Sequence, residues 1–423
     1  MNVHITGSQN DGTDAVDEVR PEPVHPSGCR RCAAIVGFGC LPGLLIGLVA
    51  GIVLGAFAWE FSAQEAAMNP LEGLDVPAGR LDLVKIRSTV DVLAGDYLND
   101  SLNVGLAIGV IRGDEADVWC FGRRAIDDPQ PPDGDTLFEL ASVGKTFTSL
   151  LLADMHLLGK VSLNDSLQRH LPQGVTVPAL NGRDITLLDL ATQTSGLPSL
   201  PADFQFGDPM NPYNDYSTAK MFSDLAEIEL TRSPGSTYEY SNLGFGLLGE
   251  ALEIKEQIPY EQLIIDRICT PLGMNRTRMT LTDDLRANFA TPHDGGKAVV
   301  VWEDTTMPGA GSFLSTANDM NRYLKLFHNP PSEASTPLAR AALQTTIKRR
   351  PADLASRSMG LGWHIDSQNA RDIIWHNGGA GGSCSYAAFT TTPACGVVVL
   401  SNSSNSVDEL GYKILYLLLQ SDL

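Results

Sequence analysis

Two residue pairs in this 423-residue chain have the spacing that lets an amine take a proton from a hydroxyl: Ser142 with Lys145, and Ser217 with Lys220. Three residues apart on a helix, two side chains share a face, with Cβ atoms about 5–6 Å apart. A serine hydroxyl is a weak nucleophile until a neighbouring base takes its proton. Lysine can be that base only if burial lowers its pKa from about 10.4 towards neutrality. The chemistry therefore needs a buried helix, and the two pairs differ on this point. Lys145 is followed by Phe147, Leu150, Leu151, Leu152, Met155, Leu157 and Leu158, apolar nearly all round. Lys220 is followed by a single stripe, Met221, Phe222, Leu225 and Ile228, with Asp224, Glu227 and Glu229 between. That pattern is a surface helix, with Ser217 as its N-cap and Lys220 in water. Ser142 and Lys145 are the candidate nucleophile and base.

Two competing readings of this region fail. Gly144-Lys145-Thr146 resembles the end of a phosphate-binding loop, but the first glycine of that motif would fall where Glu139 stands. No Gly-x-Ser-x-Gly elbow occurs, which disfavours an α/β-hydrolase.

Several segments in order extend the pattern. They are residues 136–146 (TLFELASVGKT), 185–198 (ITLLDLATQTSGLP), 234–250 with Tyr240-Ser241-Asn242, 310–323 opening Ala310-Gly311-Ser312, and Trp375-His376-Asn377-Gly378-Gly379. Together they resemble the serine β-lactamase-related family: class C β-lactamases, D-Ala-D-Ala carboxypeptidases, D-aminopeptidases and lactamase-like esterases. The likeness covers residues 81–420. Gln193 departs from it, since the family usually has His there.

The resemblance implies an acyl-enzyme on Ser142, with Lys145 as base and Tyr240 shuttling a proton to the leaving group. It implies that Asn242, His376, Asn377 and Gly378 bind substrate, and that the backbone N–H groups of Ser142 and Gly379 form the oxyanion hole. Neither a metal nor a cofactor is expected. His376 stands where many relatives carry lysine, a permanent cation that grips a substrate carboxylate. Histidine, with an ordinary pKa of about 6.5, is mostly neutral at pH 7. Asn377 replaces the hydroxyl residue that helps hold that carboxylate. Both changes favour an esterase or D-peptidase over an efficient β-lactamase. The alternatives are a cell-wall D-Ala-D-Ala carboxypeptidase or β-lactamase and, further off, a pseudoenzyme that binds peptidoglycan or a partner. The substrate is a small-molecule or peptide acyl donor.

Bulk composition limits the partners. With 30 basic against 50 acidic residues the net charge is −20, which excludes a basic nucleic-acid-binding face. Residues 1–32 are acidic, contain Pro21, Pro23 and Pro26, lack apolar periodicity and read as a disordered tail. Residues 33–59 carry no charge and exceed the ~20 apolar residues that span a bilayer. Arg20, Arg30 and Arg31 precede this run, and Glu60, Glu65, Glu72 and Asp75 follow it. The positive-inside rule then places the N-terminus in the cytoplasm and the catalytic domain in the periplasm or outside the cell. A cleaved signal peptide ending at Ala56-Phe57-Ala58 is the rival reading; the long leader and long apolar run weigh against it. Gly39, Gly43, Gly47, Gly51 and Gly55 fall four apart, a face on which a second helix can approach closely, so self-association is expected through Gly43, Gly47, Gly51 and Gly55.

The expected organisation is a tail (1–32), an anchor (33–59), a stem (60–80) and a hydrolase domain (81–423). Helices are predicted over 81–98, 142–158 and 407–420, strands over 104–111 and 116–121, and a hairpin over 382–390 and 395–402. Strands at both ends with helices between predict one sheet built from both termini with a helical insertion, and the resemblance implies an α+β fold of the β-lactamase/DD-peptidase kind. It has one antiparallel sheet flanked by helices, a mostly helical lobe, and one transmembrane helix before it. A hairpin turning near Thr392 places Cys395 opposite Phe389, not Cys384. The cysteines of the domain are therefore expected as free, buried thiols.

Overall fold

A computed structural model describes residues 70–74, 76, 82–202, 204, 211, 213, 215–302, 306–328, 336–352, 356–368 and 371–420. The expected tail, anchor and most of the stem lie outside the described residues. Among the described residues no helix is long and apolar enough to cross a membrane.

Helix α1 (Leu83–Asn99) is capped by Asp82, whose carboxylate accepts from the Lys85 N–H at 2.9 Å. It leads into strands β1 (Gly105–Arg112) and β2 (Glu115–Gly122). The remaining strands of the main sheet come from the far end of the chain: β3 (Arg350–Pro351), β4 (Arg357–Met359), β5 (His364–Gln368), β6 (Arg371–Gly379), β7 (Cys384–Thr391) and β8 (Ala394–Ser401). The sheet runs β2-β1-β8-β7-β6-β5-β4-β3, each pairing antiparallel. Pairing of β1 with β8, Leu106 opposite Ser401, joins the two ends of the chain in one sheet.

Alternation along the strands sends side chains to opposite faces. Leu106, Ile108, Val110, Val397 and Val399 meet α1 and the last helix, Asp408–Gln420. Ala107, Ile111, Ala387, Phe389, Val398 and Leu400 face the helical insertion. At the centre of that insertion lies α2 (Lys145–Leu157), whose residues from Lys145 to Met155 are all buried. Phe147 stacks on Tyr323 with ring centroids 4.1 Å apart and on Phe313 at 5.4 Å.

Two local details differ from the sequence-based expectation. The helix begins at Lys145, because Ala141–Gly144 form a 3-10 turn ahead of it. In the β7–β8 hairpin Thr391 pairs with Ala394, so Cys395 lies opposite Thr390 and Phe389 opposite Gly396. The turn is centred on Thr392-Pro393, not on Thr392 alone, which shifts the register by one residue. Among the described residues Cys120, Cys269 and Cys384 form no disulfide, and the Cys395 thiol donates to the Leu418 carbonyl at 3.8 Å. Phe147→Ala should lower unfolding stability by about 3–5 kcal/mol, the usual cost of emptying a buried aromatic site. Urea denaturation measures this, and a loss below about 1 kcal/mol would contradict the packing described.

Candidate active site

The segment that carries Ser142 is gripped from two sides. Phe138 and Glu139 pair antiparallel with Ser315 and Leu314, and the Leu140 N–H donates to the Phe313 carbonyl at 2.7 Å. The chain then enters the 3-10 turn through Ala141, whose φ of 45° is left-handed. For a residue with a Cβ that conformation costs about 1–2 kcal/mol, so neighbouring contacts must hold it. Gly311 on one side and Gly378 of β6 on the other supply them. A Cβ on Gly311, itself at φ +146°, would lie 2.3 Å from the Ala141 carbonyl oxygen. One on Gly378 would lie 2.4 Å from the Leu140 oxygen and 2.9 Å from the Ser142 nitrogen. Ser385 Oγ also donates to the Leu140 carbonyl at 2.7 Å. Below the turn, buried Glu139 accepts from the Trp302 N–H at 2.9 Å and from Ser383 Oγ at 2.6 Å. Burial raises the pKa of its carboxyl above the usual range.

Lys145 follows one helical turn later and is fully buried. Its Nζ lies 3.0 Å from Ser142 Oγ and donates to the Ala310 carbonyl at 2.5 Å. A neutral amine in this place can donate to Ala310 and still offer a lone pair to the serine proton. The aromatic faces of Tyr240 and Phe245 lie 4.9 and 5.8 Å from Nζ. Tyr240 ends a loop just before helix Asn242–Glu256, whose N-cap is Ser241. The Tyr240 hydroxyl is buried and has no hydrogen-bond partner among the described residues. Burial pushes its pKa up, and the nearby Ser142 hydroxyl pulls the other way. The half-buried Asn242 side chain makes no hydrogen bond among the described residues.

Strand β6 divides its candidates between two faces. His376 is buried, its ring 6.4 Å from that of Tyr240 and 5.3 Å from that of His364. Its Nδ1 donates to the Asn377 carbonyl at 2.6 Å. Burial first, and the Lys145 charge second, lower its pKa to about 3. Both effects hold His376 as a neutral imidazole near pH 7. Asn377 is placed differently. Its side chain points to the opposite face and its Nδ2 donates to Asp408 Oδ2 at 2.7 Å, tying the last helix to the sheet. Gly378 packs closely against the serine turn. Gly379, the end of the strand, is exposed, with open space where a Cβ would stand.

The rival pair is settled as expected. Ser217 Oγ caps its helix by accepting from the Lys220 N–H at 3.2 Å, and Lys220, 46% exposed, pairs with Asp224. Among the described residues no cluster of three or more His, Cys, Asp or Glu side chains is placed to hold a metal ion.

The family profile named Beta-lactamase matches residues 95–421. The chain belongs to the beta-lactamase family. It is 30% identical over 332 residues to the D-alanyl-D-alanine-carboxypeptidase/endopeptidase AmpH of Escherichia coli K12, spanning 74% of this chain and 83% of that one. A beta-lactamase of Pseudomonas fluorescens is 26% identical, over 75% of this chain and 94% of its own. The crystal structure of a beta-lactamase/D-alanine carboxypeptidase from Yersinia pestis, complexed with citrate, superposes with a TM-score of 0.70 at 25% identity. The match covers 81% of this chain and all of that one. A class C beta-lactamase shares the fold at a TM-score of 0.70 and 23% identity, over 81% of this chain and 97% of its own. As a member of this family the chain is a serine hydrolase with the antiparallel-sheet and helical-lobe fold.

Sequence reasoning missed three contributors to this beta-lactamase-family site. The Ala310 carbonyl has no side-chain signature, although residues 310–323 stood out as a family segment. Glu139 drew notice only as the residue that breaks a phosphate-loop motif. Gln193, noted as a departure from the family, accepts a hydrogen bond beside Tyr240. Gly378→Ala should slow fluorophosphonate labelling of Ser142 by tenfold or more, because misplacement of a reacting group by about 1 Å can cost ~100-fold. Gly379→Ala should leave the turn in place; equal labelling rates in wild type and Gly378→Ala would refute the grip.

Proposed function

We propose that the chain is a serine acyl-hydrolase acting on an ester or a D-peptide through an acyl-enzyme on Ser142, with β-lactams as poorer substrates. The observation that carries this reading is Lys145 Nζ at 3.0 Å from Ser142 Oγ, inside a fully buried helix start. Lys145 takes the Ser142 proton as Oγ attacks the acyl carbon. The N–H groups of Ser142 and Gly379 receive the oxyanion, donors that each contribute about 3–4 kcal/mol to such transition states. As the tetrahedral intermediate collapses, the bond to the leaving group breaks and Tyr240 supplies the leaving group's proton. The raised pKa of Tyr240 keeps that proton in place until it is needed. Lys145 restores it, and water enters by the reverse relay to release the acid. Asn242 faces the substrate amide.

Preference for esters or D-peptides is supported by His376. A neutral, buried imidazole provides no cation for the carboxylate of a β-lactam. The D-peptide branch is supported by the likeness to AmpH. We also propose that residues 33–59 anchor the protein in a membrane, with self-association through Gly43, Gly47, Gly51 and Gly55 and the catalytic domain outside the cytoplasm.

Fluorophosphonate should label the full-length chain, and Ser142→Ala and Lys145→Ala should each reduce labelling at least 100-fold, as loss of an activated nucleophile or its base does. Lys220→Ala should not; an adduct persisting in Ser142→Ala would defeat the assignment. In a panel of short-chain esters, D-Ala-D-Ala peptides and a chromogenic cephalosporin, the cephalosporin should be the slowest. For anionic substrates KM should stay flat from about pH 5 to 8, since an imidazole already neutral cannot lose a proton there. A KM rising through about pH 6.5 would mean that His376 titrates. Carbonate washing should leave the chain in the membrane fraction, and release by carbonate would rule out an integral anchor.

A further inference from the structure

We infer that Gln193 is a positioning residue for Tyr240, a role that rests on the proposed function of Tyr240 as proton shuttle. Helix Leu187–Ala191 ends with its C-cap at Thr192. The Gln193 N–H then donates to the Leu190 carbonyl at 3.1 Å and the Thr194 N–H to the Asp189 carbonyl at 2.8 Å. This pair of bonds closes a helix with a left-handed residue, a position usually given to glycine. Gln193 occupies it with φ at 56°. The closing turn needs no side chain, so a glutamine held in a backbone that favours glycine points to work done by the side chain.

That work is visible. The Gln193 backbone carbonyl accepts from the Glu239 N–H at 2.8 Å, and its Oε1 accepts from the Ser241 N–H at 2.8 Å. These two donors flank Tyr240 on either side. An N–H can only donate, so the side-chain atom it faces must be the amide oxygen. One residue thus holds both neighbours of Tyr240, leaving its ring against Lys145 Nζ at 4.9 Å. Gln193 is only 2% exposed, and its Nε2 has no hydrogen-bond partner among the described residues. A buried amide with an idle donor is better explained by the task of its oxygen than by stability. Further contacts of the loop are Gly235 N–H to the Thr194 carbonyl at 2.6 Å, Ser241 Oγ to the Pro198 carbonyl at 2.7 Å and the Arg232–Glu239 ion pair, and none of them holds both sides of Tyr240.

A double-mutant cycle on the full-length chain tests this by turnover of an alkyl ester, ethyl butyrate, whose alkoxide leaving group needs the Tyr240 proton. Gln193→Gly suits the backbone and deletes the oxygen. It should lower kcat at least tenfold while KM stays within about twofold, the signature of lost positioning rather than lost binding. In a Tyr240→Phe background the same substitution should change the rate less than about twofold, because Gln193 acts through the Tyr240 hydroxyl. An unchanged rate in Gln193→Gly, or the same tenfold loss in both backgrounds, overturns the inference. If Gln193→Gly fails to fold, Gln193→Asn takes its place, since Asn tolerates the left-handed backbone but falls short of Ser241. If the Tyr240→Phe background is too slow to follow, fluorine NMR of a fluorotyrosine at position 240 replaces it: removal of the Gln193 oxygen should move or broaden the resonance, and an unchanged line overturns the inference. Fluorophosphonate labelling of Ser142→Ala as fast as wild type would instead defeat the proposed function itself. Ester turnover that needs Ser142 but ignores Gln193 defeats only this inference.

Discussion

An amine with no exposed surface, 3.0 Å from a serine hydroxyl, constrains the whole molecule. A buried amine must replace the water it gives up with partners from the protein. Here the replacements are the Ala310 carbonyl and the faces of Tyr240 and Phe245. These groups come from different segments, and all must close around the start of one helix. That helix is therefore buried on every side, with Phe147 clamped between Tyr323 and Phe313. The helical lobe exists to wrap it, and the sheet to close it from the other side.

The same enclosure sets the electrostatics of β6. Burial beside Lys145 keeps His376 neutral, and its ring lies next to His364, also buried and held neutral. A charge on either would face the other and the lysine. The strand thus lines the site with an imidazole that can exchange hydrogen bonds but holds no fixed charge. Side-chain alternation does the rest: one residue further on, Asn377 leaves the site and fastens Asp408, whose carboxyl burial raises to about 6.

Backbone approach is the second constraint. The serine turn, strained at Ala141, is held between two positions where a single Cβ would collide with its backbone. Each glycine is needed so that β6 and the 309–313 segment can come close enough to fix where the hydroxyl points. Gln193 does for Tyr240 what Gly311 and Gly378 do for Ser142.

Much was legible in the residues alone. Apolar residues all round one Ser-x-x-Lys helix, and a single stripe on the other, decided between Ser142 and Ser217, because burial pattern is written in side-chain type. Strand-like runs near both ends announced one sheet. What the sequence could not decide depended on register and on through-space distance. The hairpin partner of Cys395 moved by one residue because a turn's centre is a backbone property. Asn377 changed face because strand alternation has a period of two and no letter marks its phase. The pKa of His376 depends on burial and on a lysine 231 positions away, as 376 minus 145 gives. The carbonyl that meets that lysine belongs to an alanine. Such groups acquire their chemistry only from the neighbours that folding brings to them.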